Sequence, residues 1–443
     1  MPNPVDDAPL GRGEIALPTD PDIPHPNDAA RLRKFRRRVV YIAAVLFTVT
    51  ALVLWEHSPN IRRPADELSV EGPWPTGIAD DPRLERYQTP DDAEYCAEWV
   101  EGDEPHQASA SFELPMDADL LFFLSRGPVF GEINIKENPS RSNRPVEVNV
   151  TANYRGGSGL KHTKACRMAV DNEHGVFLWA GPRHPHGDPE RDVRLNITVS
   201  VTKDVSYGDL TTDLPLFSHN VGDFFHLWTA TYFDSIRLKT FNAAIDFGSM
   251  VGRAAYIQTS NAPVKGFFGG GDLALQTSNA PINAVGIMWG DRAGYESRVS
   301  LKTSNGAVEA ALAVVSDYSD SVLRADVHTS AGLIKITTRL DYSTNASLVL
   351  DASTSIEPAE VRLDAWYEGT YDLQTSLEHA SVEQNPGTDD PLGKGRQRTV
   401  TKTREGQQAQ GSIYWSDDGE PTEETKWGSV KVSTTLSPVF LLV

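Results

Sequence analysis

Cysteine is nearly absent, with two among 443 residues. That excludes a disulfide-stapled mini-domain and a Cys-rich zinc module. Positive charge is in deficit: 41 Lys+Arg stand against 61 Asp+Glu, a net charge of −20. Nucleic acid is therefore excluded as a main partner, because phosphate binding needs a basic patch that outweighs its surroundings. Amphipathic helical periodicity is missing too; outside one apolar run, none lasts longer than about three turns. This removes the folds of alternating strands and helices on which nucleotide enzymes are built. There is no phosphate-cradling loop, since Gly269-Gly270-Gly271-Asp272 reads as a turn between strands, and no Ser nucleophile elbow.

What is there begins with the apolar run. Val39 to Trp55 is 17 residues without a charge, roughly 26 Å as a helix and at the short limit for crossing a bilayer. Arg31, Arg33, Lys34, Arg36, Arg37 and Arg38 precede it, and the nearest basic residues after it are Arg62 and Arg63. Charged side chains resist translocation, so the expected topology is a signal anchor with the N-terminus in the cytosol and the rest lumenal or extracellular. A cleaved signal peptide fits less well, because 38 residues come first and no small-x-small site follows. A core helix would not need six basic residues at one end. The Pro- and Asp-rich tail, residues 1–38, lacks apolar periodicity and reads as disordered. Its seven basic and six acidic side chains leave one positive charge, so the chain beyond the span carries −21.

In an oxidising compartment Cys96 and Cys166 are expected to pair, against the alternative of two separately buried thiols. Three sequons, at Asn149, Asn196 and Asn345, lie on the expected outer side. Residues 56–106 are rich in Pro, Asp and Glu and read as a stalk. From residue 107 to 225, short runs such as VEVNVTANY and VRLNITVSV alternate near period two, the pattern of an antiparallel β-domain.

The strongest signal follows residue 226. LKTFNAAI, IQTSNAPV, LQTSNAPI and LKTSNGAV are clear copies of one motif, and VHTSAGLI, ASTSIEPA, LQTSLEHA and VSTTLSPV are weaker ones. They align on Thr240, Thr259, Thr277, Thr303, Thr329, Thr354, Thr375 and Thr434. Two residues earlier and five residues later the position is apolar or small; one residue earlier it is polar. Such alternation sends one row inward and the next outward. Asn261, Asn279, Asn305, Gly306 and Gly332 sit where the chain must turn, and these residue types tolerate positive φ. The threonines are spaced 19, 18, 26, 26, 25, 21 and 59 residues apart. Intervals near 18–26 residues fit one coil of a β-solenoid each, because so short a unit cannot bury its own apolar face. Thr, Ser and Asn would then form ladders at the corner, each bonded to its copy above and below. A β-propeller or a stack of hairpins is the competing arrangement. Residues 383–426 form a polar insertion with a basic stretch (Lys394, Arg396, Arg398, Lys402, Arg404), an acidic one (Asp417, Asp418, Glu420, Glu423, Glu424) and a strand at Ser412–Trp415.

The Leu-x-Thr-Ser-Asn-Ala/Gly-x-Ile/Val repeat, with the basic tail, the single span and the segment Leu214–Phe224, resembles the putative-adhesin family of unknown function, and its fungal branch most closely. The resemblance covers residues from about 107 onward and is most specific at Thr259–Pro263 and Thr277–Pro281. After Thr303 and its Asn305 the copies lose the asparagine. The family has no catalytic residues to transfer; it implies an adhesive ectodomain.

Candidates for chemistry are sparse. His184, His186 and Asp188, with His174 near in sequence, have metal-ligand types but lie in a turn-rich loop. Asp117-Ala-Asp119 has the Asp-x-Asp pattern of metal-dependent glycosyltransferases, without the fold those need. The acidic run Ser416–Glu420 does not match an EF-hand spacing. A polysaccharide-modifying β-helix enzyme is the serious alternative, and it would need two carboxylates on neighbouring coils. The outward row Lys239, Gln258, Gln276, Lys302, His328, Ser353 and Gln374 holds none. The expectation is an all-β protein on one N-terminal transmembrane helix: an antiparallel β-domain, then a C-terminal β-solenoid. It needs no cofactor or metal, has no catalytic residue, and binds glycan or protein partners.

Overall fold

A computed structural model describes residues 79–138, 144–181, 192–226, 230–289, 296–315, 321–340, 346–385, 387–416 and 427–443. The apolar run 39–55 lies outside the described residues, and no helix among them is long and apolar enough to cross a membrane. Twenty-eight strands join in one hydrogen-bonded sheet, and the one described α-helix is the single turn Gly157–Lys161.

The repeats fold as stacked coils, each with two strands and a tight corner. Glu296–Lys302, for example, turns through residues 303–307 into Val308–Val314. The next coil places Val322–His328 parallel on the first strand and Ile334–Leu340 parallel on the second. Two columns of parallel strands result, and their inward side chains meet between them. The positions two before the threonine (Leu238, Ile257, Leu275, Leu301, Val327, Ala352, Leu373, Val432) are all buried, as are those five after it, from Ile245 to Val439. Each coil is too thin to shield this row alone, so burial is supplied by the coils above and below.

The expectation of a separate antiparallel domain over 107–225 is corrected. Leu120–Arg126 and Phe130–Asn138 pair parallel with Asp209–Asp213 and Phe217–Asp223, which pair parallel with Tyr232–Lys239 and Ile245–Gln258. One apolar core runs from Ala110 to Val443. Among the described strands antiparallel pairing is confined to caps. Gln107–Leu114 and Val146–Tyr154 extend one column beyond Val193–Thr202. Thr163–Val170 extends the other beyond Glu173–Ala180. Alternation along a strand reports which faces are buried, not the direction of its neighbour, so the sequence pattern could not separate the two cases.

Coil order and chain order part company at both ends. At one end the coil 120–138 is inserted between 173–202 and 209–223. At the other, Gly428–Ser433 and Val439–Leu442 lie between the coil 347–362 and the coil 369–383. The threonine interval of 59 residues therefore conceals a swap of position.

The stalk reading is also corrected for its described part. Pro82–Arg86 forms a 3-10 turn capped by Asp81. Leu84 and Tyr87 from this segment cover the outward side chains Leu120, Phe122 and Phe177. Tyr87 and Phe122 stack with ring centroids 4.4 Å apart. Leu120–Leu124 is apolar without alternation because both of its faces are buried. Cys96 and Cys166 stand directly opposite on antiparallel strands and are joined as a disulfide.

Candidate functional site

All eight threonines are buried, and their hydroxyls do not bond to one another. Thr259 Oγ1 donates to the carbonyls of Phe241 and Ala243 at 3.3 and 3.1 Å. Thr277 reaches Ser260 and Ala262, both at 3.3 Å. Thr303 reaches Ser278 and Ala280 at 3.4 and 3.2 Å, and Thr329 reaches Ser304 and Gly306 at 3.4 and 3.0 Å. In these four copies the threonine bonds two corner carbonyls of the preceding coil; those of Phe241, Ser260, Ser278 and Ser304 also accept backbone amides of the next corner, so the hydroxyl adds a second tie between coils. The expected side-chain ladder exists only for asparagine. Asn261 donates to Asn242 at 2.6 Å, Asn279 to Asn261 at 2.6 Å, and Asn305 to Asn279 at 2.7 Å. It stops at Ala331, where the copies lose the residue.

The corner does not use positive φ, which was the expected reason for its Asn and Gly residues; among described non-glycine residues only His106, Asp171 and Asp204 adopt it. Glycine serves close approach instead. A Cβ at Gly306 would lie 1.8 Å from the Ala280 carbonyl oxygen, and one at Gly332 1.8 Å from that of Gly306. The repeat corner is thus a packing device, and sites for partners must be sought on the strand faces.

The row one residue before the threonines does align across the coils, Lys239 beside Gln258, Gln276, Lys302, His328 and Ser353. Its first two members are covered by the segment from residue 79. Lys239 pairs with Asp80, and Gln258 accepts from the Ala79 amide at 3.4 Å. Beside them Asp81 accepts from Arg83 at 2.7 Å and from Thr211 at 3.2 Å. Burial pushes the Asp81 carboxyl up, but Arg83 and the neighbouring Arg237 outweigh it and hold the group below the usual carboxylate range. Lys302 and His328 are exposed, and the His328 ring meets Ser353 Oγ at 2.9 Å.

A second outward row, two residues earlier, carries the acids that the first lacks. Asp326 lies beside Asp351, Asp351 beside Lys431, and Lys431 beside Asp372. Sequence reasoning followed one row only, and the swapped order hid the place of Lys431. At this end the outer face deepens into a cleft of about 510 Å³, lined by Thr370, Asp372, Thr401, Gln410, Ser429 and Lys431 among others. Asp372 accepts from Gln374 at 2.9 Å and from Gln410 at 3.0 Å, and among the described residues it is the cleft's single carboxylate.

The basic stretch of the insertion folds inward. Arg396 bonds Asp390 at 2.9 Å, and Arg396 and Arg398 lie over the Trp415 ring. Gln408–Ser416 is a strand that contains the expected one at Ser412–Trp415. No group of three metal-ligating side chains occurs among the described residues. His184, His186, Asp188 and Asp417–Glu424 lie outside the described residues, as does Asn345. Asn149 is exposed and accepts from Ser111 at 2.6 Å, whereas Asn196 is half-buried with an unpartnered Oδ1. The two sequons face each other: Asn149 is opposite Thr198, and Thr151 is opposite Asn196.

No protein-family model and no curated protein matches the chain. Solved structures similar to it include three from bacteria. One is a putative adhesin from Bacteroides fragilis NCTC 9343, at 10% identity and TM-score 0.27 over 77% of this chain and 98% of that chain. A second is a putative cell adhesion protein from Clostridium sporogenes ATCC 15579, at 8% and 0.18 over 76% and 99%. A third is a putative lipid binding protein from Parabacteroides distasonis ATCC 8503, at 13% and 0.23 over 58% and 90%. Scores this low transfer no role to the chain, and none of these proteins bears on the fungal branch.

Proposed function

We propose that the chain is a non-enzymatic, adhesin-like ectodomain that holds a glycan or protein partner on the polar outer face of its coils. The composition of the cleft carries this reading. Glycoside hydrolysis by acid and base needs two carboxyl groups flanking one bond. Among the described residues the cleft offers one, Asp372, already engaged by two side-chain amides. Hydroxyl, amide and ammonium groups around it can bind a polar ligand but cannot exchange protons with it as a matched acid and base near neutral pH. The polysaccharide-modifying enzyme is the second reading, and the adjacent exposed pair Asp326 and Asp351 is the feature that favours it.

The anchor belongs to the same proposal: a cytosolic tail, a span at 39–55, and a solenoid held outside, on which Asn149 is the better exposed of the two described sequons to carry a glycan. Six basic residues before the span and the disulfide both support that orientation. A binding screen of the full-length chain in detergent against glycans and secreted proteins tests the function. Saturable binding without turnover is expected, and release of cleaved saccharide would establish the enzyme instead. Orientation is tested in sealed microsomes. Glycosidase should shift the chain's mobility, and digestion of the C-terminal coils by protease added outside would reverse the topology.

A further inference from the structure

We infer that the C-terminal cleft is a saccharide subsite for a neutral sugar, with the Trp427 ring as its stacking surface; this rests on the binding reading above. Strand register gathers the polar groups. Lys431, Asp372 and Gln410 stand side by side on three adjacent strands, and Ser429, Thr370 and Ser412 form the neighbouring row. Adjacent strands are about 4.8 Å apart and same-face rows about 7 Å apart. That grid places a carboxylate, an ammonium, an amide and three hydroxyls within reach of one small polyol.

The groups are also prepared to bind. The amides of Gln374 and Gln410 aim Asp372, and an ionised carboxylate has about four acceptor positions, so lone pairs remain for sugar hydroxyls. Lys431 is exposed, and among the described residues no hydrogen bond or ion pair holds its ammonium. It can donate to the hydroxyl adjacent to the one that Asp372 receives.

An apolar surface completes the set. Trp427 lies two residues before Ser429 and is 42% exposed, and its ring is 6.3 Å from that of Tyr414. Tyr414 in turn lies two residues beyond Ser412 on the neighbouring strand. The aromatic pair therefore borders the hydroxyl row. A pyranose has the matching anatomy, with a C–H face for the indole and a hydroxyl edge for the polar rows. Charge selects among sugars. The same row places Asp326, Asp351 and Asp372 around the single Lys431, and the whole chain carries −20. Sialylated and sulfated chains would be repelled, and neutral ones would not.

The test uses the full-length chain in detergent with immobilised neutral oligosaccharides of glucose, mannose or galactose, and sialylated and sulfated oligosaccharides beside them. A neutral probe should bind, and Asp372→Asn and Trp427→Ala should each weaken it about tenfold or more, the loss of one charge-assisted hydrogen bond or one stacked face. Trp427→Phe should keep most of the affinity. Lys335→Gln, on the opposite outer face, should change nothing. Unchanged thermal midpoints keep the comparison free of folding effects. Neutral binding that survives both cleft substitutions overturns the cleft and leaves the binding reading intact. Binding of only the charged probes overturns the neutral ligand. Binding of no saccharide at all, with a defined protein partner bound instead, overturns the subsite; cleavage of the probe overturns the binding reading itself.

Discussion

The coils between Tyr232 and Leu340 succeed one another in space as they do in sequence, whereas each end of the stack holds one coil out of turn. The middle repeats a single local solution: inward Leu/Ile/Val, a buried threonine on the preceding carbonyls, and an asparagine or a close-packed glycine at the corner. The ends solve a different problem. A stack of parallel strands exposes unpaired backbone at its first and last coil. Here the chain closes those edges with antiparallel strands, and a later or earlier segment is wedged beneath them. Regularity therefore comes from local repetition, and termination comes from contacts distant in sequence.

Removing the wedge should have the largest effect. Truncation after Ser416 takes away Gly428–Leu442, the strands that join the coils 347–362 and 369–383. Residues 347–416 are expected to become sensitive to limited proteolysis while the coils before Leu340 stay protected. Uniform protection would show that the inserted coil is dispensable.

A smaller effect separates the middle from the coil 209–223. There the inward Leu–Ile pair of the repeats is replaced by Thr212 and His219, in register with Leu238 and Ile245. Thr212 Oγ1 and His219 Nε2 are 2.8 Å apart, and burial pulls the His219 pKa down to about 4 from 6.5. Above pH 6.5 the ring is neutral folded or unfolded, and its contribution is complete. As pH falls from 6.5 toward about 4, the unfolded chain takes up a proton that the folded one refuses, and stability declines by about 3 kcal/mol. Urea unfolding across that range should show the decline, and Thr212→Val with His219→Leu should flatten it. An unchanged slope in the double variant would move the effect elsewhere.

Within the middle, Thr303→Val removes a buried bond to the Ala280 carbonyl and a part-buried one to that of Ser278 and should cost about 1–2 kcal/mol. Asn279→Ala interrupts an exposed ladder and should cost only about 0.5 kcal/mol. If denaturation gave the reverse order, the asparagines rather than the threonines would hold the corner.

Much of this was legible residue by residue. The periodicity around Thr259 and Thr277 contains the inward and outward rows, because alternation is a property of the strand itself. The pairing of Cys96 with Cys166 was expected from the number of cysteines and from an oxidising compartment that is itself part of the proposal. Other features were hidden for physical reasons. The parallel partners of Leu120–Arg126 are segments near residues 173 and 209, and nothing local specifies direction. Asp372, Gln410 and Lys431 are far apart in sequence, so their common cleft could not be read from spacing. Leu84 and Tyr87 sit in a proline- and acid-rich stretch whose composition resembles a stalk, and only the apolar outer face at Phe122 shows what they cover.

The sequence alone determined the coil: its period, its inward row, its threonine and the place where its asparagine ladder ends. These depend on neighbours within a few residues or on an identical copy one repeat away. The tertiary structure alone decided the order of the end coils, the covering of Lys239 and Gln258, and the grouping of the cleft. Those depend on which distant edge a strand meets, and backbone hydrogen bonds, being the same for every residue, do not encode that choice.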